Sequence, residues 1–229
     1  MIAGDLEAAL STLPATWASL LPGWTREKLA AVAECVQRVS GDLPIAPDDP
    51  LRALRLVAPD EVRVVVIGQD PYPTAGHADG LAFSAAHGRP RSLARVFEVL
   101  ANDRPGFASP AEWRLDDWAQ QGVLLLNPVL TVEVGRSASH MDCGWQALTS
   151  EIAAALARRP SPPVFLLWGT KAQAFWKAAV PLSGTVRTFL TRHPSYDFAR
   201  EFMAAGSHFE ATSDLVDWWG IGRPAAPML

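Results

Sequence analysis

Three side chains that could take part in catalysis each stand at the end of a short apolar stretch of the sequence: Asp70, Asn127 and His193. A carboxylate can stabilise positive charge and orient water, and an imidazole can donate a hydrogen bond to developing negative charge. A carboxamide offers a donor and an acceptor side by side, which suits the polar edge of a planar ring. Tyr72 and Phe83 supply aromatic faces for such a ring. These residue types predict a pocket that binds a flat, polar group and acts on it.

Each of these residues also has an ordinary structural explanation. Aspartate before proline, as at Asp70, is common in turns and helix caps, and His193 is likewise followed by a proline. Asn127 is harder to explain in this way, because an amide behind three leucines must satisfy its donors and acceptor or destabilise the fold. The functional interpretation therefore depends on the three residues coming together.

Other chemistries fit the sequence less well. No serine or cysteine stands in a nucleophile-elbow motif. Gly169-Thr170-Lys171 resembles the end of a phosphate-binding loop but lacks the upstream glycine spacing, which argues against nucleoside triphosphate binding. His140 and Asp142 could form a metal-binding pair, but no further ligands lie near them in the sequence. No metal site and no cofactor are expected.

The apolar stretches predict the scaffold that positions these residues. They are separated by segments with helical periodicity, and strand, helix, strand units at this spacing form right-handed crossovers in a mostly parallel sheet. We predict an α/β fold, a single-domain three-layer sandwich with a central, mostly parallel four-stranded sheet flanked by helices. The predicted strands are residues 62–67, 122–126, 164–168 and 185–190.

Helices are predicted between these strands, after them and before them. An amphipathic stretch runs from Thr25 to Val39, within an N-terminal helical segment, residues 1–45, that is expected to pack on the rest. No linker or repeat divides the chain, so residues 1–229 are expected to form one domain. The other predicted helices are residues 92–102, 114–120, 144–158, 171–178 and about 209–219.

A parallel sheet binds its ligands at the carboxyl ends of its strands. Asp70, Asn127 and His193 each follow a predicted strand, and Gly169-Thr170 follows another. All four positions are therefore expected at one edge of the sheet.

The composition limits the classes of protein that fit. Of the 229 residues, 49% are apolar, which allows a sizeable core, and no apolar run approaches the roughly 20 residues of a membrane helix. Two cysteines are too few for a disulfide framework, and no signal-peptide pattern opens the sequence, so a cytoplasmic protein is expected. The net charge of −4 argues against a protein that coats nucleic acid but permits one cationic surface.

Several motifs in order resemble those of family 1 uracil-DNA glycosylases. The resemblance covers roughly residues 45 to 220, and ordered motifs in register are far more specific than any single one. The matching segments are Gly68-Gln69-Asp70-Pro71-Tyr72, Gly80-Leu81-Ala82-Phe83-Ser84, Gly122-Val123-Leu124-Leu125-Leu126-Asn127, Val129-Leu130-Thr131-Val132, Ser139-His140, Gly144-Trp145, Leu166-Leu167-Trp168-Gly169 and His193-Pro194-Ser195.

The resemblance implies an enzyme that extrudes a uridine from DNA and hydrolyses the bond between sugar and base without a covalent intermediate. Asp70 would stabilise the cationic sugar and orient the attacking water, and neutral His193 would donate a hydrogen bond to uracil O2. Four residues are implied in uracil binding: Phe83 stacks on the base, Asn127 reads O4 and N3–H, Tyr72 excludes the methyl of thymine, and Gln69 contributes mainly its backbone.

The resemblance also implies a set of DNA-binding residues. His140 matches a histidine that family members place near the site. The residues expected to contact DNA are Arg91, Ser92, Gly169, Thr170 and Ser195, together with Tyr196, Asp197, Phe198 and Arg200 in the loop that follows.

That loop departs from the family pattern. After His-Pro-Ser the family usually continues with proline and then a leucine that enters the duplex, whereas this chain has Tyr196 and Asp197. An aspartate cannot fill the gap left by a flipped base, and phosphates repel it. The sequence therefore predicts weaker excision from duplex than from single strands, and a gain for Asp197→Leu. Phe198, the next residue, is an alternative apolar wedge.

The resulting prediction is a uracil-DNA glycosylase of base excision repair. Two alternatives remain: a catalytically weakened protein of the same fold that binds DNA or uracil, and a nucleoside hydrolase acting on small molecules. The expected partners of the leading candidate are uracil-containing DNA, single- or double-stranded, and a proteinaceous glycosylase inhibitor. A monomer without membrane association is expected.

Overall fold

The centre of the molecule is a four-stranded parallel sheet, seen in a computed structural model that describes residues 1–181 and 186–222. The strands, in chain order, are β1 (Ile45–Ala46), β2 (Val64–Ile67), β3 (Val123–Leu126), β4 (Val132–Glu133), β5 (Val164–Trp168) and β6 (Thr188–Thr191). Strands β3, β2, β5 and β6 lie side by side in that order, and every neighbouring pair is parallel. Strands β1 and β4 form a separate antiparallel pair. The predicted α/β class and four-stranded sheet are confirmed.

The burial of the strands explains why the apolar stretches predicted them well. Every residue of β2, β3 and β5 is buried, as expected for strands covered on both faces, and only β6 at the edge is partly exposed. Strand β6 begins three residues after the predicted start, and Thr185 lies outside the described residues. Ile67 pairs with both Leu126 and Leu167, so the strands end almost level. The residues that follow them therefore meet at one edge.

Helices flank this sheet and account for most of the predicted helical segments. The segments predicted at 92–102, 144–158 and 171–178 are confirmed to within two residues, whereas the segment at 114–120 is a single turn. The helices are α1 (Leu6–Ala9), α2 (Ala15–Leu20), α3 (Arg26–Ser40), α4 (Arg52–Leu56), α5 (Arg91–Asp103), α6 (Asp116–Ala119), α7 (Trp145–Ala157) and α8 (Thr170–Ala179).

The helix predicted at about 209–219 is wrong. Two short 3-10 turns, Glu210–Thr212 and Trp218–Gly220, stand there instead. Between these turns, the side-chain amide of Gln121 forms hydrogen bonds with both backbone groups of Asp217. It accepts from the N–H at 2.7 Å and donates to the carbonyl at 3.2 Å. The Asp217 N–H thus bonds a distant amide oxygen instead of the carbonyl one helical turn earlier.

The N-terminal segment shares the hydrophobic core of the sheet. Helix α3 buries Leu29, Val32 and Val36, and the indole of Trp17 donates to the carbonyl of Val57 at 2.9 Å. One cluster of buried apolar side chains extends from Ala3 to Ile221. Within residues 1–181 and 186–222, no helix has the length and apolar character needed to cross a membrane.

Candidate active site

A cavity of about 320 Å³ lies at the edge of the sheet where the parallel strands end. The structure brings most of the predicted pocket residues to this one place. The predicted residues that line it are Gln69, Asp70, Tyr72, Phe83, Ser92, Asn127, His193 and Ser195.

Asn127 closes one end of the cavity, directly behind β3. Its side chain is only 8% exposed, and it packs against Gly68, which follows β2. A Cβ on Gly68 would lie 2.2 Å from the Asn127 side-chain oxygen, a distance that no side chain could tolerate. Glycine at position 68 therefore leaves the space in which the amide can face a ligand.

Phe83 and Tyr72 form the aromatic walls. The ring of Phe83 packs 5.0 Å from Trp168 and 5.7 Å from His193, measured between ring centroids. The hydroxyl of Tyr72 donates to the carbonyl of Phe83 at 3.0 Å and lies 2.6 Å from the Ser92 hydroxyl. Burial raises the pKa of Tyr72, and the Ser92 hydrogen bond offsets part of that rise, so the phenol stays neutral. The walls are apolar and uncharged, as a flat base requires.

The Asp70 carboxylate is held by the loop at residues 135–138, a contact that the sequence analysis did not predict. Its Oδ2 atom accepts from the backbone N–H of Ala138 at 2.7 Å and from the Ser137 hydroxyl at 3.1 Å. The backbone N–H of Gly135 in turn donates to the Pro73 carbonyl at 2.8 Å, which ties the loop to the segment after Asp70. These two hydrogen bonds therefore fix the carboxylate in position.

The tautomer of His193 follows from one hydrogen bond. Its Nδ1 atom accepts from the backbone N–H of Ser195 at 3.1 Å, so a neutral ring must carry its proton on Nε2. Gly169 allows the ring to sit here, because a Cβ at that position would lie 2.8 Å from the His193 Cβ. The ring that carries this Nε2–H group lines the cavity.

Burial lowers the pKa of His193, and the nearby Asp70 carboxylate partly opposes that shift. Desolvation disfavours the charged imidazolium more than Asp70 favours it, so the neutral ring predominates at pH 7. We expect an NMR titration of the His193 ring protons to give a midpoint below the ordinary 6.5. Asp70→Asn removes the attraction and should lower the midpoint further.

The spectrum of His193→Gln assigns the signal in this titration. A midpoint above 6.5, or a midpoint that rises in Asp70→Asn, would contradict the assignment of a neutral imidazole.

Several predicted DNA-binding residues lie outside the cavity. Thr170 borders a neighbouring groove of about 420 Å³ that His193 also lines. Arg91 is exposed at the start of α5, and Arg200 is exposed and ion-paired with Glu98. The side chain of Tyr196 lies outside the described part of the structure.

The side chain of Asp197 points into the protein and not into solvent. Its side chain is only 2% exposed and forms a 2.6 Å ion pair with Arg95 of α5. Its Oδ1 atom also accepts from the backbone N–H of Phe202 at 2.8 Å. Burial alone would raise the pKa of Asp197, but the bonds from Arg95 and Phe202 hold it below its usual value. Arg95 of α5 compensates the charge, so the expected repulsion from phosphate does not follow.

Phe198, by contrast, points outward and is 86% exposed. A ring this exposed is accessible to another molecule. The sequence identified this residue only as an alternative.

The His140 side chain forms hydrogen bonds inside the core. It is fully buried, with Thr131 and Ser40 hydroxyls each 2.9 Å from a ring nitrogen. Within residues 1–181 and 186–222, no group of three or more His, Cys, Asp or Glu side chains is arranged to hold a metal ion.

The fold and the cavity together define a class of protein: an α/β protein in which an amide, a carboxylate, a neutral imidazole and an aromatic ring surround space for a planar polar group. Residues 55–215 match the family model described as "Uracil DNA glycosylase superfamily". The chain is also 40% identical to a uracil-DNA glycosylase of Bordetella parapertussis, over 94% of this chain and 90% of that relative. The chain belongs to the uracil-DNA glycosylase superfamily.

Solved structures show the same fold. The mimivirus uracil-DNA glycosylase superimposes with a TM-score of 0.70 at 21% identity, covering 82% of this chain and 71% of that one. A mimivirus UNG variant crystallised in complex with UGI gives a TM-score of 0.71 at 21% identity, with coverage of 82% and 72%. At this identity the likeness concerns the fold.

Proposed function

We propose that this protein hydrolyses the N-glycosidic bond of deoxyuridine in DNA and releases free uracil, as the first step of base excision repair. The observation that carries the proposal is the meeting of Asp70, Asn127 and His193 around one cavity in a chain of this family. The resemblance of its motifs to family 1 enzymes supports membership of that subgroup.

Recognition of uracil depends on the closed end of the cavity. The Asn127 amide offers an acceptor to N3–H and a donor to O4, a pattern that cytosine does not match because it carries an amino group at position 4. Phe83 stacks on the ring, and Tyr72, fixed by Ser92 and by the Phe83 carbonyl, occupies the space of a thymine methyl. Gln69 contributes through its backbone, where its carbonyl accepts from the Val129 N–H at 3.2 Å.

Catalysis depends on two charges that develop as the bond breaks. The sugar becomes cationic, and the fixed carboxylate of Asp70 stabilises it and orients the attacking water. The base becomes anionic, and the Nε2–H of His193 donates to uracil O2. The water oxygen bonds to the sugar carbon C1′ as the bond from C1′ to uracil N1 breaks. One proton of the water stays on the new sugar hydroxyl, and the other ends on the released uracil. Both groups are positioned before the reaction, which makes electrostatic preorganisation the main contribution.

DNA binding uses groups around the mouth of the cavity. The phosphate contacts are assigned to Arg91 and Ser92 at the start of α5, to Gly169-Thr170 at the start of α8, and to Ser195. Arg200 is also assigned to DNA contact, although Glu98 neutralises part of its charge.

Phe198 is the residue assigned to the gap left by the flipped uridine. The Asp197–Arg95 pair anchors the loop to α5, and the phenyl ring next to it is left exposed to enter the base stack. Because Asp197 is turned inward, it gives no reason for a preference for single strands. We therefore assign Phe198 the role that leucine has in the family pattern.

Phe198→Ala should slow uracil excision from duplex DNA by about tenfold and leave excision from single strands nearly unchanged, because only the duplex has a stacked gap to fill. Single-turnover rates on matched single- and double-stranded oligonucleotides measure both effects. Equal loss on the two substrates would contradict a wedge role.

Asp197→Leu is the companion variant for this experiment. Leucine leaves Arg95 without its buried partner and the Phe202 N–H without an acceptor, so we expect slower duplex excision where the family pattern alone suggested a gain. Faster duplex excision by Asp197→Leu would mean that position 197 itself enters the DNA.

The remaining proposals concern partners and setting. A mimivirus UNG variant was crystallised with UGI, and the shared fold supports a proteinaceous inhibitor as a partner of this chain. Such a protein would cover the cavity mouth and the groups assigned to phosphate. We further propose a monomer that works in the cytoplasm.

The substrate class is tested by comparing free deoxyuridine with a short single-stranded oligonucleotide that contains uracil. A DNA glycosylase should release uracil from the oligonucleotide and leave the nucleoside essentially intact, because phosphate contacts contribute binding free energy that the nucleoside lacks. Equal hydrolysis of both would favour a nucleoside hydrolase. Tight oligonucleotide binding without uracil release would favour a binding protein.

A further inference from the structure

Phe83 has a backbone conformation that a bulky residue rarely adopts. Its φ angle is +66°, in the left-handed region, where a residue with a bulky side chain is strained. Such a conformation persists only where the surrounding structure holds it. The contacts that hold Phe83 therefore also set the orientation of the ring in the cavity.

The residue after Phe83 is clamped from two sides. The hydroxyl of Ser84, which is fully buried, donates to Asp79 Oδ2 at 2.6 Å and accepts from the backbone N–H of Leu115 at 3.0 Å. On the other side of Phe83, the N–H of Ala82 donates to the Leu125 carbonyl of strand β3 at 3.0 Å. Of these groups, only the carboxylate of Asp79 is charged.

The Asp79 carboxylate spans the whole turn that leads to Phe83. Its Oδ1 atom accepts from the backbone N–H of Leu81 at 3.1 Å, while Oδ2 holds Ser84. The side chain is 4% exposed and lies 3.5 Å from the guanidinium of Arg52, which also pairs with Asp116. One buried carboxylate thus joins residues on both sides of Phe83.

The turn beneath this carboxylate leaves little room. Gly80 has a φ angle of +95°, and a Cβ there would lie 2.5 Å from the Asp49 carbonyl. Burial raises the pKa of Asp79, and its bonds to Ser84 and Leu81 and the charge of Arg52 oppose that shift only in part. Keeping an aspartate here costs free energy that an apolar core residue would not.

We propose that Asp79 is a positioning residue that acts through Phe83, holding the strained turn so that the ring stacks on the extruded uracil. The proposal rests on the assignment of Phe83 as the uracil-stacking residue. Asp79 does not line the cavity, and its effect on the reaction passes through the backbone of residues 81–84.

The test is a double-mutant cycle read out by inhibition with free uracil, a ligand that occupies the base cavity alone. Asp79→Asn keeps one acceptor oxygen and places an amide donor opposite either the Leu81 N–H or the Ser84 hydroxyl, so one of the two hydrogen bonds is lost together with the charge. We expect the inhibition constant of uracil to rise about tenfold in Asp79→Asn, the size expected for one charge-assisted hydrogen bond. Phe83→Ala should weaken inhibition at least as much, and adding Asp79→Asn to it should cause little further loss.

Two further variants make this cycle decisive. Ser84→Ala removes the other partner of the same hydrogen bond and should weaken uracil inhibition in the same direction, which keeps the test usable if Asp79→Asn folds poorly. Asp103→Asn is the matched control, because Asp103, the last residue of α5, also accepts from a serine hydroxyl, but that serine is Ser207, which is not part of the turn at residues 79–84. It should leave uracil inhibition unchanged.

Unchanged inhibition by uracil in Asp79→Asn, or a full tenfold loss that persists in the Phe83→Ala background, would overturn the proposal. A lower melting temperature with unchanged inhibition would show a purely structural role and would overturn it as well. If the wild type releases no uracil, the proposed function fails together with this inference. If the wild type releases uracil but the inhibition constant of uracil is unchanged in Asp79→Asn, only the inference about Asp79 fails.

Discussion

Asp70→Asn is expected to lower the rate of uracil release by about 10³-fold with little change in stability. Asparagine keeps the size of the side chain, and its oxygen can still accept from the Ala138 N–H. The negative charge is lost, however, and with it the stabilisation of the cationic sugar. A single preorganised electrostatic group in a desolvated site contributes about 10² to 10³ in rate.

Single-turnover release of uracil from a single-stranded oligonucleotide measures this loss without a contribution from duplex opening. The melting temperature and the binding of the oligonucleotide serve as controls and should remain close to those of the wild type. A variant with more than a tenth of the wild-type rate would assign the cation stabilisation to another group.

His193→Ala is expected to lower the same rate by about 10²-fold. The loss removes one neutral donor to uracil O2, a smaller effect than the loss of a full charge. His193→Gln should recover part of the rate, because its amide N–H can reach toward the same oxygen.

The pH dependence of the variants separates the two roles. In the wild type, protonation of His193 puts a hydrogen on Nδ1 and breaks its hydrogen bond from the Ser195 N–H, which positions the ring. Activity should therefore fall on the acid side, with a midpoint below the ordinary pKa of 6.5 because burial disfavours the charged ring. His193→Gln should lack that contribution. An alanine variant with wild-type activity at pH 7 would contradict the assignment of His193 as the donor to O2.

The sequence predicted the sheet and the edge that carries the site because these depend on local pattern. Strands β2, β3 and β5 are buried on both faces, so they appear as unbroken apolar runs. Parallel strands that end level must bring the residues behind them together. Asp70 and Asn127 could therefore be placed in one pocket before any contact between them was known.

The support of Asp70 could not be predicted in the same way. Ser137 and Ala138 lie 67 and 68 residues further along the chain, in a polar loop whose sequence does not indicate which carboxylate it meets. Ala138 also has a φ angle of +61°, an unusual conformation for alanine that no sequence pattern signals. Such contacts depend on how distant segments fold onto one another.

The contacts of the Asp197 side chain could not be predicted from the sequence for a related reason. A charged residue in a loop is usually exposed, and the resemblance to the family pattern implied that Asp197 lies at the DNA. Its burial follows from Arg95, one turn into α5 and 102 residues earlier. The same separation along the chain means that the sequence does not identify Arg95 as the partner of Asp197, since nothing around Arg95 distinguishes it from Arg89 and Arg91.

The central claim is that the cavity recognises uracil in DNA and releases it as a free base. The most direct measurement is mass-spectrometric detection of free base from three single-stranded oligonucleotides that differ only in a central uracil, thymine or cytosine, for the wild type and Asp70→Asn. We predict free uracil from the first oligonucleotide with wild type, no base from the other two, and about 10³-fold slower release with Asp70→Asn. No uracil from the wild type, or release of thymine and cytosine at the same rate, would contradict the account.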